Sequence, residues 1–377
     1  MGRPPVGVLG SFSIDVQKAI EALRIEHPAW GAISIHCDLS SSGRITPPDL
    51  PCVSRIASFL KDKGYTNKYE KHRHLPTPTF ILPTRCHQKW EIDDQGVEYY
   101  EGVGWIRMIN IKDVFSHVYV GTFPVLVATK DHSPTTSDYQ CALRLAFSAF
   151  GMPEHIQSDN GSIFHENRST SSFPTIFHLW LVALGISFSF ARCRQPTDQA
   201  DVERSHRTLF NQVLRKEPFK NWQHLFEFVQ QRRNILNLTL PCQTIQKPPL
   251  VAFPQAIHSS RYYVSLKEFD LLDLERIFIF LKPCEWFRIV APNHTISLGG
   301  QLYSIKEALP KMQLRITFDV STRNLLFHND KELIAQNCLK AISKVRIVGQ
   351  EHADFAMPFA QLAFPFDWMT LKMSTTL

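Results

Sequence analysis

Between residues 11 and 75 the pattern is that of short helices, with apolar positions recurring at three- and four-residue spacing on one side. Ser13 can cap a first helix, with Asp15 in its first turn and Ile20 and Leu23 on one face, and His27-Pro28 closes it. Trp30, Ile33 and Cys37 align on a second helix over 30–39. A loop through Ser40-Ser-Ser-Gly43 and Pro47-Pro48 leads to a third, on which Val53, Ile56, Phe59 and Leu60 share a face before Gly64 stops it. Pro76, Pro78 and Pro83 then mark an extended linker over 75–85.

From Trp90 the period changes to that of strands. Strands are predicted over 89–93, 105–111 and 118–128, the last interrupted near Pro124. Helices over 137–150 and 177–184 alternate with strands at 155–158 and 186–190, and helices over 199–214 and 222–234 follow. Strands in a meander, then strands alternating with helices, predict an α/β layered domain with a mixed sheet. Prolines are dense from Pro241 to Pro254. Beyond 285 the pattern is again that of strands: Leu314, Ile316, Phe318 and Val320 alternate, Ser321-Thr-Arg-Asn324 is a hairpin turn, and 344–348 closes the series as a last strand. This predicts a small all-β barrel. The segment 351–377, with Phe355, Phe359, Phe364, Phe366 and Trp368, has no role assigned by its pattern.

Composition narrows the picture. The 377 residues are 44% hydrophobic and 20% charged, which excludes a mostly disordered chain. No apolar run is long enough to cross a bilayer, and the N-terminus lacks the apolar stretch of a secretory signal. Eight scattered cysteines without a Cys-x-x-Cys pair fit reduced thiols better than a disulfide framework or a zinc site. The expectation is a cytoplasmic protein without a membrane partner. Of the net charge of +6, residues 1–90 carry +5 (12 Lys and Arg against 7 Asp and Glu), so the excess sits on the helical N-terminal part. Three short helices, with Arg55 and Lys61 outward on the third and Lys63, Lys68, Lys71 and Arg73 following, predict a helix-turn-helix or winged-helix unit that binds DNA. A plain helical domain with a solvated basic face is the alternative.

Three carboxylates carry the candidate chemistry. Asp93 lies near the end of the first strand, Asp159 follows a short strand at an Asn-Gly turn, and Glu203 lies on the helix 199–214. Carboxylates from adjacent strand ends and a packing helix can chelate Mg²⁺ or Mn²⁺. A pair of such ions activates an attacking oxygen and stabilises the leaving one in phosphoryl transfer. Asp94 points to the opposite strand face from Asp93, and Asp113 reads as a turn residue. Of the acids near the start of the later helix, Asp201 and Glu203 point about 200° apart, so one can face the strands. Glu203 has the longer reach and the apolar flanks Val202 and Leu209. His206 and Arg207, one turn on, can contact phosphate, orient Glu203, or form a surface salt bridge.

Gln157-Ser-Asp159-Asn-Gly161-Ser-Ile-Phe164 resembles the second-aspartate motif of retroviral-integrase-type (DDE) transposases, and Asp201-Val-Glu203-Arg-Ser-His206-Arg-Thr-Leu209 resembles their glutamate helix. Trp90-Glu-Ile-Asp93 resembles their first strand and Ile111-Lys-Asp113-Val-Phe-Ser116 the following hairpin. Arg24-Ile-Glu-His-Pro28-Ala-Trp-Gly31 resembles the helix-turn-helix of bacterial insertion-sequence transposases. Trp286-Phe-Arg-Ile-Val290 through Leu298-Gly-Gly-Gln-Leu-Tyr303 resembles their C-terminal barrel. The chain departs from that pattern in a longer Asp159–Glu203 interval, with a polar insertion at 166–174, and in Ala200 where glycine is usual.

The resemblance implies a ribonuclease-H-like mixed-sheet core over 76–240, a helix-turn-helix module over 1–75, a linker with a helical segment over 241–285 and a β-barrel over 286–350. It implies a bacterial, nucleoid-associated transposase that cuts transposon ends and joins the 3′-hydroxyls to target DNA. Such an enzyme works as a homo-multimer on paired ends, with Asp93, Asp159 and Glu203 holding two Mg²⁺ or Mn²⁺ ions. A decayed transposase that only binds DNA and a metal-dependent nuclease without joining are the alternatives.

Overall fold

The computed structural model describes residues 7–27, 30–65, 83–158, 173–190, 218–329 and 332–349. The chain divides into two units. The first comprises 1–133, 149–159 and 191–261, and the second 134–148, 160–190 and 262–377.

In the first unit α1 (Ile14–Glu26), α2 (Ala32–Ser41) and α3 (Val53–Asp62) enclose a small core of Val16, Ile20, Leu23, Trp30, Ile35, Leu39, Ile56, Phe59 and Leu60. Ser13 caps α1 by accepting from the Val16 N–H, as its position predicts. Helix α2 begins two residues later than expected, because Gly31 is its extended N-cap. Arg24 ties the unit together by donating to the carbonyls of Trp30 and Tyr65, each at 2.6 Å.

The sheet of this unit runs in the order β3-β2-β1-β4, from β1 (Lys89–Tyr100), β2 (Gly104–Asp113), β3 (Tyr119–Val127) and β4 (His155–Ser158). The first three form an antiparallel meander and β4 joins β1 in parallel. Two expectations are corrected. Strand β1 does not stop at Asp93 but runs on to Tyr100, because the turn at Glu101–Val103 allows a long hairpin with β2, its register shifted once between Gln95 and Glu98. Pro124 does not interrupt β3; it sits within the strand opposite Met108. A strand with only one strand neighbour has ladder positions whose N–H is not needed, and proline is tolerated there.

The open side of β3 is covered by α6 (Trp222–Leu238), four residues longer than its pattern suggested. Leu225, Val229 and Leu236 of α6 pack with Ile106, Met108 and Tyr119. Asn237 then acts as a substitute strand: its Oδ1 accepts from the Tyr119 N–H at 2.9 Å and its Nδ2 donates to the Tyr119 carbonyl at 3.0 Å. Gln230 donates to the Thr122 carbonyl at 2.8 Å. These bonds occupy an edge that would otherwise invite another chain. Asn237→Ala should therefore lower the unfolding free energy by about 1–3 kcal/mol in denaturant titrations, the cost of leaving buried backbone groups unpaired.

The entrance to β1 is fixed by a buried network. The His87 N–H donates to Asp113 Oδ1 at 2.9 Å, and Asp113 Oδ2 accepts from the Ser116 N–H and hydroxyl. Asp113 is thus the turn residue the sequence suggests. The Trp90 indole N–H can only donate, so His87 Nδ1 accepts it at 3.3 Å, and Nε2 carries the proton given to the Ala256 carbonyl at 3.0 Å. The ring is held neutral: burial pushes its pKa from 6.5 down to about 4. The unfolded chain takes up a proton near pH 6.5 that the folded one refuses until about 4. Stability is therefore full above 6.5 and declines as pH falls towards 4, by roughly 3 kcal/mol for this one ring. Unfolding measured across that window should show a flatter decline in His87→Gln than in the natural chain.

The second unit contains α5 (Ile176–Ala183), β5 (Ser187–Phe190) and α9 (Leu274–Leu281), together with six later strands. β6 (Trp286–Ile289), β9 (Gln313–Asp319), β10 (Asn324–Asn329) and β11 (Glu332–Cys338) form an antiparallel sheet in the order β11-β10-β9-β6, and β7 (Thr295–Leu298) pairs with β8 (Gln301–Ser304). The alternation of Leu314, Ile316 and Phe318 is that of a half-buried strand, as expected. The ladders among the described residues do not close into a barrel: β11 and β6 are the ends of their sheet. The segment 344–348 is a helix, α10 (Lys344–Val348), and not a strand. Ser343 caps it by accepting from the Arg346 N–H, Ile347 is buried and Val345 is exposed, a local solution that five residues of alternating pattern do not exclude. No helix among the described residues is long and apolar enough to cross a membrane.

Candidate active site

The two faces of the sheet formed by β1 to β4 in the first unit differ in chemistry. One carries Trp90, Ile92, Ile109, Ile111 and Ile156, all with no exposed surface. The other is polar although buried. Residues opposite one another in a ladder share a face. The registers Asp93↔Asn110 and Asn110↔Thr122 run a polar row across three strands, and Glu91↔Lys112 with Glu91↔Gln157 runs a second beside it. Glu91, Asn110, Lys112, Thr122 and Gln157 are each at most 4% exposed. Glu91 has Lys89 Nζ at 3.5 Å, and the Lys112 ammonium lies 5.2 Å from the centre of the Tyr119 ring.

Asp93 is half-buried on this polar face, and its Oδ1 accepts the Asp94 N–H at 2.9 Å. The parallel ladder between β1 and β4 ends at the pair Ile92↔Ser158, so Asp93 is the first residue past it. Beside Asp93, Asn110 is fully buried, and neither its Nδ2 nor its Oδ1 has a hydrogen-bond partner among the described residues. A buried amide with both atoms unused implies a polar group or water in front of it. Asp94 faces the other way, as its position predicts, and forms a half-buried ion pair with Arg107 at 2.8 Å. That pairing commits Asp94 to the sheet and leaves Asp93 as the carboxylate of the polar face nearest the ladder's end.

Asp159, Glu203, His206 and Arg207, with Asp198 and Asp201, lie outside the described residues. Among the described residues no three of His, Cys, Asp or Glu converge on one point. The donor chemistry beside Asp93 is nonetheless that of a hard cation: a carboxylate paired across the ladder with the amide of Asn110. Of the residues suggested for DNA contact, Arg55 donates to Ser11 Oγ at 3.3 Å and lies 5.4 Å from the Phe12 ring centre, while Lys61 is exposed in the last turn of α3. Sequence reasoning missed Asn110, Lys112 and Gln157. Their signal was present in the alternation Glu91-x-Asp93 and Asn110-x-Lys112, but alternating polar residues ordinarily mean a solvated face.

No family model matches the chain. Among solved structures, the catalytic core domain of HTLV-2 integrase in its magnesium complex superposes at a TM-score of 0.31 with 17% identity, over 46% of this chain and 99% of that one. A second, dimeric form of that core gives 0.31 with 19% identity, over 43% of this chain and 92% of that one. A simian T-cell lymphotropic virus intasome in complex with the PP2A regulatory subunit B56 gamma gives 0.34 with 15% identity, over 81% of this chain and all of that one. Superpositions this loose assign nothing by themselves, and the chemistry has to be argued from the chain's own residues on the polar sheet face.

Proposed function

We propose that the chain is a metal-dependent polynucleotidyl transferase of the integrase and transposase type, built around Asp93. One observation carries the reading. The β1–β4 ladder ends at Ile92↔Ser158, and in the sequence these two residues are followed by Asp93 and Asp159. The two aspartates of the sequence motifs are thus each one residue, in sequence, beyond the partners of the last described rung. Glu203 is the third member of the set, on the grounds of its motif and side-chain length. Asp93, Asp159 and Glu203 would hold Mg²⁺ or Mn²⁺, which when bound makes an attacking water or 3′-hydroxyl a better nucleophile and stabilises the leaving oxygen.

The chain's own part is to hold the carboxylates in place. Asp93 is kept on the polar face by its pairing with Asn110 of β2, just past the end of the β4 ladder, and the Asp94 N–H fixes one of its oxygens. Asn110 beside it can bond water around the site. The three-helix module, with the excess positive charge of residues 1–90, supports DNA as the partner. A homo-multimer on paired ends of a bacterial insertion sequence is the setting the sequence motifs favour.

The test is a strand-transfer assay on DNA carrying the inverted repeats that flank the gene. Glu203→Gln should abolish both cleavage and joining, whereas Asp201→Asn should keep most activity. The reverse pattern moves the third carboxylate to Asp201. Cleavage without joining in the natural chain reduces the reading to a nuclease.

A further inference from the structure

We propose that the second unit contains a binding site for a small organic anion, a compound with a ring-sized apolar body and a phosphate or carboxylate head. A cavity of about 280 Å³ lies between the start of α5, the β7–β8 hairpin and the segment 339–346. That is roughly twice the ~150 Å³ in which an apolar cavity accommodates benzene. Its inner wall is apolar, with Phe173, Leu179, Leu298 and Tyr303 all buried. The hairpin turn Gly299-Gly300 closes on it with both residues at positive φ. A Cβ at Gly299 would stand 2.7 Å from the Phe173 ring, so only glycine lets the turn approach this closely.

The charged side chains of the wall are both cations. Lys340 and Arg346 are among the lining residues, and no Asp or Glu is. Arg346 is exposed and makes no ion pair among the described residues. Lys340 gives one N–H to the Leu302 carbonyl at 2.7 Å, and its ammonium lies 5.0 Å from the centre of the Tyr303 ring, beside the cavity wall. Thr175 and Ile176 bring the N-terminal end of α5 to the same wall. Tyr303, 1% exposed, adds an independent donor. Its oxygen accepts the Lys340 N–H at 3.1 Å, and its own hydroxyl proton has no acceptor among the described residues. A buried hydroxyl with an unused proton, in an apolar cavity bounded by two cations, is matched by a ligand with an anionic end.

The site does not depend on the catalytic reading, and the experiment keeps them apart. Isothermal titration of the full chain would use phenyl phosphate, inorganic phosphate and phenol. Phenyl phosphate should bind at least about tenfold more tightly than either half alone. Arg346→Glu and Lys340→Glu should each weaken it by about tenfold, and Tyr303→Phe by a smaller factor, about threefold, with the melting temperature of Arg346→Glu unchanged. Asp93→Asn should leave phenyl phosphate binding as it is. Binding no tighter than that of inorganic phosphate, or indifferent to both charge reversals, overturns the site. Loss of binding in Asp93→Asn would also overturn it, because the probe would then be held at the carboxylates.

Discussion

Asp93→Asn should reduce both cleavage and joining of DNA ends by about a thousandfold or more. The substitution removes one negative charge and one metal-binding oxygen while keeping the side chain's shape. Metal-held stabilisation of developing charge is worth several kcal/mol, and each ~1.4 kcal/mol is a factor of ten in rate. Fold and DNA binding should survive, since Asp93 is only half-buried and its described bond, from the Asp94 N–H, can be kept by the asparagine oxygen. Asp94→Asn is the matched control. It weakens the Arg107 ion pair on the opposite face, a loss of about 1 kcal/mol or less for a partly exposed pair, and should leave activity in place. Wild-type strand transfer by Asp93→Asn, or loss of transfer in Asp94→Asn with the fold intact, would reverse the assignment of the two neighbours.

Glu268→Ala should cost about 3–5 kcal/mol of stability, the largest effect expected of a residue outside the polar sheet face. Glu268, in the short helix α8 (Glu268–Leu271), is 2% exposed. Arg144 Nε donates to its Oε2 at 2.6 Å and Arg144 Nη2 to its Oε1 at 2.8 Å. The Trp180 indole N–H donates to Oε1 at 2.8 Å, and the Tyr263 hydroxyl donates to Oε2. Burial alone would raise the pKa of this carboxyl. The Arg144 hydrogen bonds and charge, with Tyr263 and Trp180, outweigh it and hold the value below the usual 4.5. The contribution is therefore complete above about pH 4.5 and is lost as pH falls through the lower folded value. Removing Glu268 leaves the Arg144 guanidinium, 12% exposed, without a counter-charge. Replacing both, as in Arg144→Met with Glu268→Leu, should recover much of the loss, because the uncompensated charge is gone. Denaturant unfolding of the two variants checks this; a loss under about 1 kcal/mol for Glu268→Ala would show that water reaches Arg144.

Local signals in the chain were sufficient for much of the fold. Ser13, Gly64 and the apolar spacing of Ile20, Leu23, Ile56 and Phe59 located three N-terminal helices, since a cap and a one-sided apolar stripe act within a few residues. The strands around Trp90, Ile109 and Ile156 were legible for the same reason, and so was the opposition of Asp93 and Asp94, which follows from the two-residue period of a strand. Where local signals were balanced, they misled. The five residues Lys344–Val348 alternate like a strand, but with no partner strand and a serine cap they form a helix. Pro124 looked like a break because the chain does not announce which strand will be last in a sheet.

What the sequence determined by itself is the chemistry available: carboxylates at Asp93, Asp159 and Glu203 in an order that suits metal-dependent phosphoryl transfer, and a basic helical N-terminal part. What only the tertiary structure decided is which groups share a face and which are buried. Register across β1, β2 and β4 set Asn110 beside Asp93 and the end of the β1–β4 ladder just before it. Packing turned Glu91, Asn110, Lys112 and Gln157 from an apparently solvated stripe into a buried one. Pairing between strands far apart in sequence, and the burial that follows from it, depend on contacts no local pattern encodes. A polar residue looks the same in the chain whether water or another strand will face it.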